Sequence, residues 1–145
     1  MESNSNPIIQ CVSIGLIKNK SNILVYEVAD KVSHDSFFRL IGGHIEFGES
    51  AVEALKREFK EEINEDIINL NPLGVFENIF FYNGRQQHEF VSLFSCNLAN
   101  KEIYNKEEIV GHEGPDRTFN AFWMNINQFK NNKKILFPDQ ILNYI

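Results

Sequence analysis

The hydrophobic positions of this chain change their spacing along its length, and these changes outline its secondary structure. Strand-like apolar runs cover 8–18 and 23–28, and the polar residues 19–22 between them predict the turn of a hairpin. A shorter run, 37–43, predicts another strand and ends in two glycines. From 52 to 63 the apolar residues instead recur at three- and four-residue steps, as they do on one face of a helix.

The predicted helix, Ala51–Ile63, has recognisable signals at both ends. Ser50 precedes it and Glu53 follows three residues later, which is the pattern of a capping box. Asn64 comes directly after it and tolerates the left-handed conformation that often ends a helix. The apolar stripe that should face the core consists of Val52, Leu55, Phe59 and Ile63.

The strand pattern returns after the helix. Runs at 73–82 and 87–98 flank Asn83-Gly84, a dipeptide typical of a two-residue hairpin turn. The remaining segments are a polar loop at 102–118, a strand at 119–126 and short helical pieces at 126–130 and 138–145. We therefore expect one domain over 1–145, with 1–6 frayed, and an α+β sandwich built on a mixed β-sheet.

Composition narrows the classes of partner. The 145 residues carry a net charge of −6 without any basic stripe, which argues against a nucleic-acid duplex as partner. No apolar run approaches the roughly 18 residues that span a bilayer, and the N-terminus has no signal-peptide pattern. We expect a cytoplasmic protein with no membrane association, in which Cys11 and Cys96 are buried free thiols; a homodimer is an open alternative to a monomer.

Carboxylates are crowded on the predicted helix. Glu58, Glu61 and Glu62 are spaced to share one face near its C-terminal end. Like charges at this spacing cost about 0.2–0.5 kcal/mol per pair, and anions at that end of the helix dipole cost about 0.3–1 kcal/mol each. The placement is therefore unfavourable by on the order of 1–3 kcal/mol unless something compensates.

Two interpretations account for this cluster. It is either an acidic surface helix eased by its own basic residues, Lys56, Arg57 and Lys60, or a site for a hard cation. Mg²⁺, or Mn²⁺ as a substitute, takes oxygen ligands and commonly completes its shell with waters and substrate phosphates. Gly42 and Gly43 favour the cation site, because glycines at the end of a strand let the backbone approach a ligand closely.

The same stretch resembles the box of the Nudix hydrolases. That box is a glycine, five residues, Glu, seven residues, Arg-Glu, an apolar residue, any residue and Glu-Glu. Every charged position matches at the right spacing, with Gly43, Glu49, Arg57, Glu58, Phe59, Glu61 and Glu62. The family's next glycine is Asn64 here and its following apolar residue is Glu65, so that Ile67 becomes the candidate apolar anchor.

The resemblance implies the Nudix α/β/α sandwich and a Mg²⁺-dependent hydrolase. Its substrate would be a small molecule in which a nucleoside diphosphate is linked to another group: a nucleotide sugar, a dinucleoside polyphosphate or a nucleoside triphosphate. Arg57 and Glu49 would pair to hold the loop on the helix. The implied metal ligands are the Gly42 carbonyl, Glu58, Glu61, Glu62 and Glu113, and the general base is left open among Glu61, Glu62 and Glu113.

Glu113, in the polar segment before the tryptophan-containing strand, has Glu107 and Glu108 as rivals for that loop position. Candidate substrate contacts are Arg39, His88 and Glu89. The main alternative function is a Nudix-fold regulatory module that binds a nucleotide without turnover, although such a module would be expected to lose box carboxylates. Isoprenoid diphosphate isomerisation would need a catalytic cysteine, and no motif surrounds either cysteine.

Overall fold

The computed structural model describes residues 7–145, so the expected fraying of 1–6 lies outside the described residues. In chain order the elements are β1 (Gln10–Leu16), β2 (Lys18–Asn19), β3 (Asn22–Ala29), β4 (Ser36–Arg39), β5 (Ile41–His44), α1 (Ala51–Ile63), β6 (Ile67–Tyr82), β7 (Arg85–Leu98), a first 3₁₀ helix (Lys101–Asn105), β8 (Glu108–Glu113), β9 (Arg117–Asn125), α2 (Asn127–Lys130) and a C-terminal 3₁₀ helix (Asp139–Tyr144).

The strands form two sheets. The four-stranded sheet has the order β5-β1-β7-β6, in which β1 and β7 are parallel and the other neighbours antiparallel. The five-stranded sheet has the order β2-β3-β9-β8, with β4 also paired to β3, and is antiparallel throughout. The predicted α+β class with a mixed sheet is therefore confirmed.

Two hydrophobic clusters join the sheets to the helices. One surrounds Leu55 and Phe59 of α1, both without exposed surface. Trp123 packs at the margin of this cluster, and its ring stacks on Tyr104 with centroids 5.4 Å apart. The other cluster includes Phe129 of α2 together with inward-facing residues of both sheets and of the C-terminal 3₁₀ helix. The protein therefore has two separate hydrophobic cores, one packed around α1 and the other around α2 and the C-terminal 3₁₀ helix.

Helix α1 has the predicted bounds and caps. The Ser50 hydroxyl accepts a bond from the Glu53 backbone N–H, while the Glu53 carboxylate accepts one from the Ser50 N–H. Asn64 has φ 56°, as expected for a left-handed cap, and Ile67 is buried. The predicted stripe is wrong at Val52, which is 36% exposed, because the helix turns that position outward and buries Ala54, two residues further on, instead.

The β6–β7 hairpin confirms the turn prediction, since Asn83 and Gly84 both have positive φ. Its tip is attached to the loop after β3 by Asp30. One oxygen of the Asp30 carboxylate accepts a bond from the Asn83 N–H at 3.0 Å, and the other accepts from Val32 and Ser33. These backbone donors hold the pKa of Asp30 below its usual value.

Two strand predictions are wrong in their pairing. The run 37–43 is divided at Leu40 into β4 and β5, which belong to different sheets. The predicted hairpin of 8–18 with 23–28 forms only at its tip, where β2 pairs with β3, because β1 pairs instead with β5 and β7. A run of apolar residues does not by itself indicate where a strand leaves one sheet for another.

The predicted loop at 102–118 is also wrong, since it contains the first 3₁₀ helix and β8. Only Ile109 supplies a large buried side chain to β8, so its sequence looks polar.

Cys11 is exposed, contrary to expectation, whereas Cys96 is buried as predicted and burial raises the pKa of its thiol to about 12. Pro138 precedes the last helical segment, which is 3₁₀ in form. Within residues 7–145, no helix has the length and apolar character needed to cross a membrane.

Candidate active site

The carboxylates of α1 lie beside the end of β8. Here they line an open cavity of about 410 Å³, whose wall consists of Glu58, Glu61, Glu62, His112, Glu113 and Gly114. The predicted loop glutamate is therefore brought to the helix cluster, and it lies on β8. Neither of its rivals, Glu107 and Glu108, lines this cavity.

A second cavity, of about 220 Å³, shares Glu58, Glu62 and Glu113 with the first. Its other walls come from β1, β3, β4, β5 and β7, with Val12, Ile14, Tyr26, Arg39, Leu40, Gly42, Gly43, His44 and Glu89. The two cavities thus adjoin along one row of carboxylates. The first is acidic and open, while the second adds apolar walls and a guanidinium group.

Glu62 is the most perturbed acid of the site. Its Oε1 atom is buried and has no hydrogen-bond partner. Burial, together with the negative charge of Glu58, raises the pKa of Glu62 to about 9. A buried carboxylate oxygen without a partner is costly in a native protein. The side chain therefore has unused capacity to accept a proton or bind a cation.

Arg57 connects α1 to the loop of residues 45–50, which joins β5 to this helix. Its Nε and Nη2 donate to the two oxygens of Glu49 at 2.7 and 2.9 Å, and Nη2 also donates to the His44 carbonyl at 2.9 Å. Its Nη1 donates to Glu58 at 3.0 Å and to Glu61 at 3.3 Å. The fork-shaped contact with Glu49 matches guanidinium geometry. It holds the pKa of Glu49 near 2 and raises that of Arg57.

Strand β5 passes so close to β1 and α1 at Gly42 and Gly43 that a side chain at either position would displace other atoms. A Cβ atom placed on Gly43 would collide with the carboxylate of Glu58. A Cβ atom on Gly42 would collide with the backbone of Ser13 in the neighbouring strand. The Ser13 hydroxyl in turn donates to the Ala51 carbonyl at 2.9 Å, which ties β1 to the first turn of α1. Small residues thus bring the backbone of β5 against the helix carboxylates.

Arg39 and Glu89, both predicted as substrate contacts, form an ion pair in the second cavity. Arg39 Nη2 lies 3.3 Å from Glu89 Oε1, and the side chain of Glu89 is only 7% exposed. The structure does not bring His88 to this cavity. Successive side chains of a strand point to opposite faces, so His88 lies on the other face, where its Nε2 is 2.6 Å from Glu77 Oε2.

The donor set at the helix can be compared with the needs of a divalent cation. Within residues 7–145, no three acidic, histidine or cysteine side chains are already arranged around a common point that a metal could occupy. The carboxylates nevertheless fit a hard cation, because such ions select oxygen ligands and one Glu62 oxygen is buried without a partner. Arg57 already donates hydrogen bonds to one oxygen each of Glu58 and Glu61, so these two oxygens are not free to bind a cation while the contacts persist.

Sequence reasoning did not identify Tyr26 or His112 as residues of the site. Tyr26 lies on β3 and lines the second cavity, with its ring 4.7 Å from that of Phe119. Burial raises the pKa of its hydroxyl, which therefore stays protonated at neutral pH. Tyr26 has no sequence motif around it and reaches the site through its pairing with Arg39 across two strands. His112 directly precedes Glu113, the predicted loop glutamate, and this position is the signal that could have found it.

Comparison with known proteins shows the family of this chain. The sequence model of the NUDIX domain matches residues 10–143. The nucleoside triphosphatase NudI of Escherichia coli O139:H28 is 31% identical over 101 residues, which cover 64% of this chain and 72% of that protein. The protein of the same name from Shigella flexneri gives the same values.

Solved structures share the fold. A NUDIX hydrolase from Nitrosomonas europaea superposes with a TM-score of 0.64 at 18% identity, covering 95% of this chain and 85% of that one. A mutator MutT protein from Bacillus halodurans gives a TM-score of 0.61 at 18% identity, covering 92% and 80%. The domain match spans nearly the whole chain, the charged positions of the box are complete, and the protein therefore belongs to the Nudix family of pyrophosphohydrolase enzymes.

Proposed function

We propose that the enzyme cleaves a pyrophosphate bond of a nucleoside triphosphate with the help of Mg²⁺, for which Mn²⁺ can substitute. The buried, unpartnered oxygen of Glu62 beside Glu58 and Glu113 is the observation that carries this proposal. The choice of substrate is supported by the likeness to a nucleoside triphosphatase. Nucleotide sugars and dinucleoside polyphosphates are the classes to be tested against it.

The residues that would hold the cation are Glu58, Glu61, Glu62 and Glu113, with the carbonyl of Gly42. When bound, the cation would neutralise charge on the pyrophosphate oxygens and make a water molecule more acidic. To bind it, Glu58 and Glu61 would exchange contacts with Arg57 for the ion. Arg57 would keep its fork-shaped contact with Glu49 and so hold the loop in place.

The chain's own groups would then act on the substrate and the attacking water. Glu61, Glu62 or Glu113 would accept the proton of that water at a carboxylate oxygen. In the second cavity, Arg39 would meet a phosphate or the nucleoside, and the protonated Tyr26 hydroxyl would donate a hydrogen bond. Glu89 would orient Arg39 and accept hydrogen bonds from the base or sugar. His88, on the opposite face of β7, takes no part in this proposal.

The test is a panel of nucleoside triphosphates, nucleotide sugars and dinucleoside polyphosphates incubated with Mg²⁺ and separated by chromatography. We expect cleavage of triphosphates, a near-complete loss of turnover in Glu62→Gln and Glu113→Gln, and normal turnover in Glu107→Gln, which changes an exposed glutamate outside the cavity. Full activity of Glu62→Gln would refute its role. Nucleotide binding without cleavage of any substrate would instead favour a binding module.

A further inference from the structure

The β6–β7 hairpin has an apolar face that α1 does not cover. We define this outer face by the side chains that β6 and β7 direct outward around the Glu77–His88 contact: Val75, Ile79, Phe81 and Phe90. They are respectively 69%, 56%, 70% and 39% exposed. The alternate residues of β6, among them Asn78, turn inward and are buried or half-buried.

The strand register shows why this face is bare. Residues that lie side by side on neighbouring strands form a row across the sheet, and Ser13 of β1 and Ser92 of β7 form one such row. Ser13 bonds to the first turn of α1, so the helix begins over this row. The next row outward pairs Cys11 with Phe90, and Cys11 is exposed. The hairpin extends beyond that row to Phe81. Its last rows therefore lie past the end of the helix that covers the rest of this side of the sheet.

From these observations we infer that the outer face is the interface through which two copies of this chain form a symmetric dimer. Two faces of this kind can pack as sheet on sheet. In a twofold arrangement the same patch meets itself, so Glu77 of one copy can contact His88 of the other. The face holds one acid and one histidine at its centre, whereas the whole chain has a net charge of −6. The outer face therefore carries little net charge, so two acidic copies can approach each other there.

The available area also suits a dimer. Ile8 and Ile9, which are 65% and 57% exposed, lie beside His88 at the border of the outer face. They border a concave site of about 550 Å³ between 7–10 and 85–88, which a projecting side chain of a second copy can enter. The exposed parts of the six apolar side chains amount to roughly 500–900 Å², taking about 150–250 Å² for a large side chain. With the polar groups between them, the patch reaches the roughly 800 Å² per partner of a stable interface.

The face is a better candidate than the free edge of β6. The C-terminal 3₁₀ helix partly covers that edge, because Gln140 Nε2 donates to the Glu77 carbonyl at 3.2 Å. A Cβ atom placed on Gly74, which pairs with the buried Leu93, would meet the Tyr144 hydroxyl at 2.5 Å, so this segment also packs on the inner side of β6. Pairing of two copies through β6 backbones would have to displace these groups. Packing through the outer face leaves them in place.

Sedimentation velocity and light scattering from low to high micromolar concentration test this inference without reference to catalysis. We expect a dimer for the wild type and an at least roughly tenfold weaker dimer for Ile79→Glu and Phe81→Glu, which place a charge in the centre of the contact. The matched control is Ile135→Glu, since Ile135 is 59% exposed and its segment pairs with Phe38 of β4, outside the outer face. It should dimerise as the wild type does.

Circular dichroism and melting points establish whether each variant folds, and two outward-facing positions are used so that one misfolded variant does not end the test. A wild type that stays monomeric at high micromolar concentration overturns the inference. Dimers that persist in both folded hairpin variants, or that dissociate equally in Ile135→Glu, also overturn it. Because the readout is mass, a failure here leaves the proposed hydrolysis untouched, and an inactive enzyme leaves the dimer untouched.

Discussion

Replacing Arg57 with lysine keeps the charge and removes the planar fork. The guanidinium makes five hydrogen bonds of 3.3 Å or less to Glu49, Glu58, Glu61 and the His44 carbonyl. An ammonium group has three donors and cannot bind both Glu49 oxygens in the same geometry. We therefore expect the loop to lose its fixed position against α1, and the Glu58 carboxylate to lose a partner.

The magnitude follows from the contacts. A hydrogen bond to a charged group contributes about 1.5–3 kcal/mol, and the Arg57 side chain is 24% exposed, so partial solvent compensation leaves a net loss of about 2–3 kcal/mol. In a chain of this size that corresponds to a fall in melting temperature of about 5–10 °C. Loss of a group that orients metal ligands costs about 10–100-fold in metal affinity or activity.

The assay is thermal unfolding in chelator, followed by Mn²⁺ titration of the folded protein. Lys56→Arg, at an exposed position of the same helix, is the control and should behave as the wild type. A cycle that combines Arg57→Lys with Glu49→Gln should show that the two changes are not additive, because they remove the same contact. If Arg57→Lys has the same melting temperature as the wild type and binds Mn²⁺ equally well, the fork does not hold the loop.

Three further outcomes are expected. Gly43→Ala should push the Glu58 carboxylate aside, so that Mn²⁺ binding measured by calorimetry weakens while the far-ultraviolet circular dichroism stays native. Phe59→Ala should lower the free energy of unfolding in urea by about 3–5 kcal/mol, because the ring is fully buried; a loss below about 1 kcal/mol would contradict the described packing. Asp30 has a lowered pKa, so its contribution is present above pH 3.8 and is lost as the pH falls through the lower folded value. The difference in melting temperature between wild type and Asp30→Asn should therefore shrink in acid, and a difference that grows there would refute the role of its bonds to Ser33 and Asn83.

Local signals predicted the parts of this molecule that local physics determines. The bounds of α1 followed from a capping box, a regular apolar spacing and Asn64, all within the fifteen residues from Ser50 to Asn64. The hairpin followed from Asn83-Gly84, because a turn of that kind needs positive φ at both positions. The crowding of Glu58 and Glu62 was predicted from helix periodicity, and their cavity indeed has both residues in its wall.

Long-range pairing limited the rest of the prediction. Nothing near Leu40 indicates that β4 and β5 enter different sheets, because β4 pairs with the preceding strand β3 whereas β5 pairs with the distant strand β1. Strand β8 was missed since its buried positions alternate between Ile109 and a glycine against which Phe119 packs. His88 was grouped with Glu89 by sequence, although neighbouring strand residues face opposite sides.

The chain contains a single tryptophan, Trp123, on β9. Its indole stacks on Tyr104 beside the α1 core and does not line either carboxylate-walled cavity. Its fluorescence emission is thus an intrinsic optical reporter of the packing between this sheet and the helix. A change in Trp123 emission during denaturation would report the loss of packing in that core. A change on adding nucleotide would show that binding in the cavities alters the packing around Trp123, which does not line them.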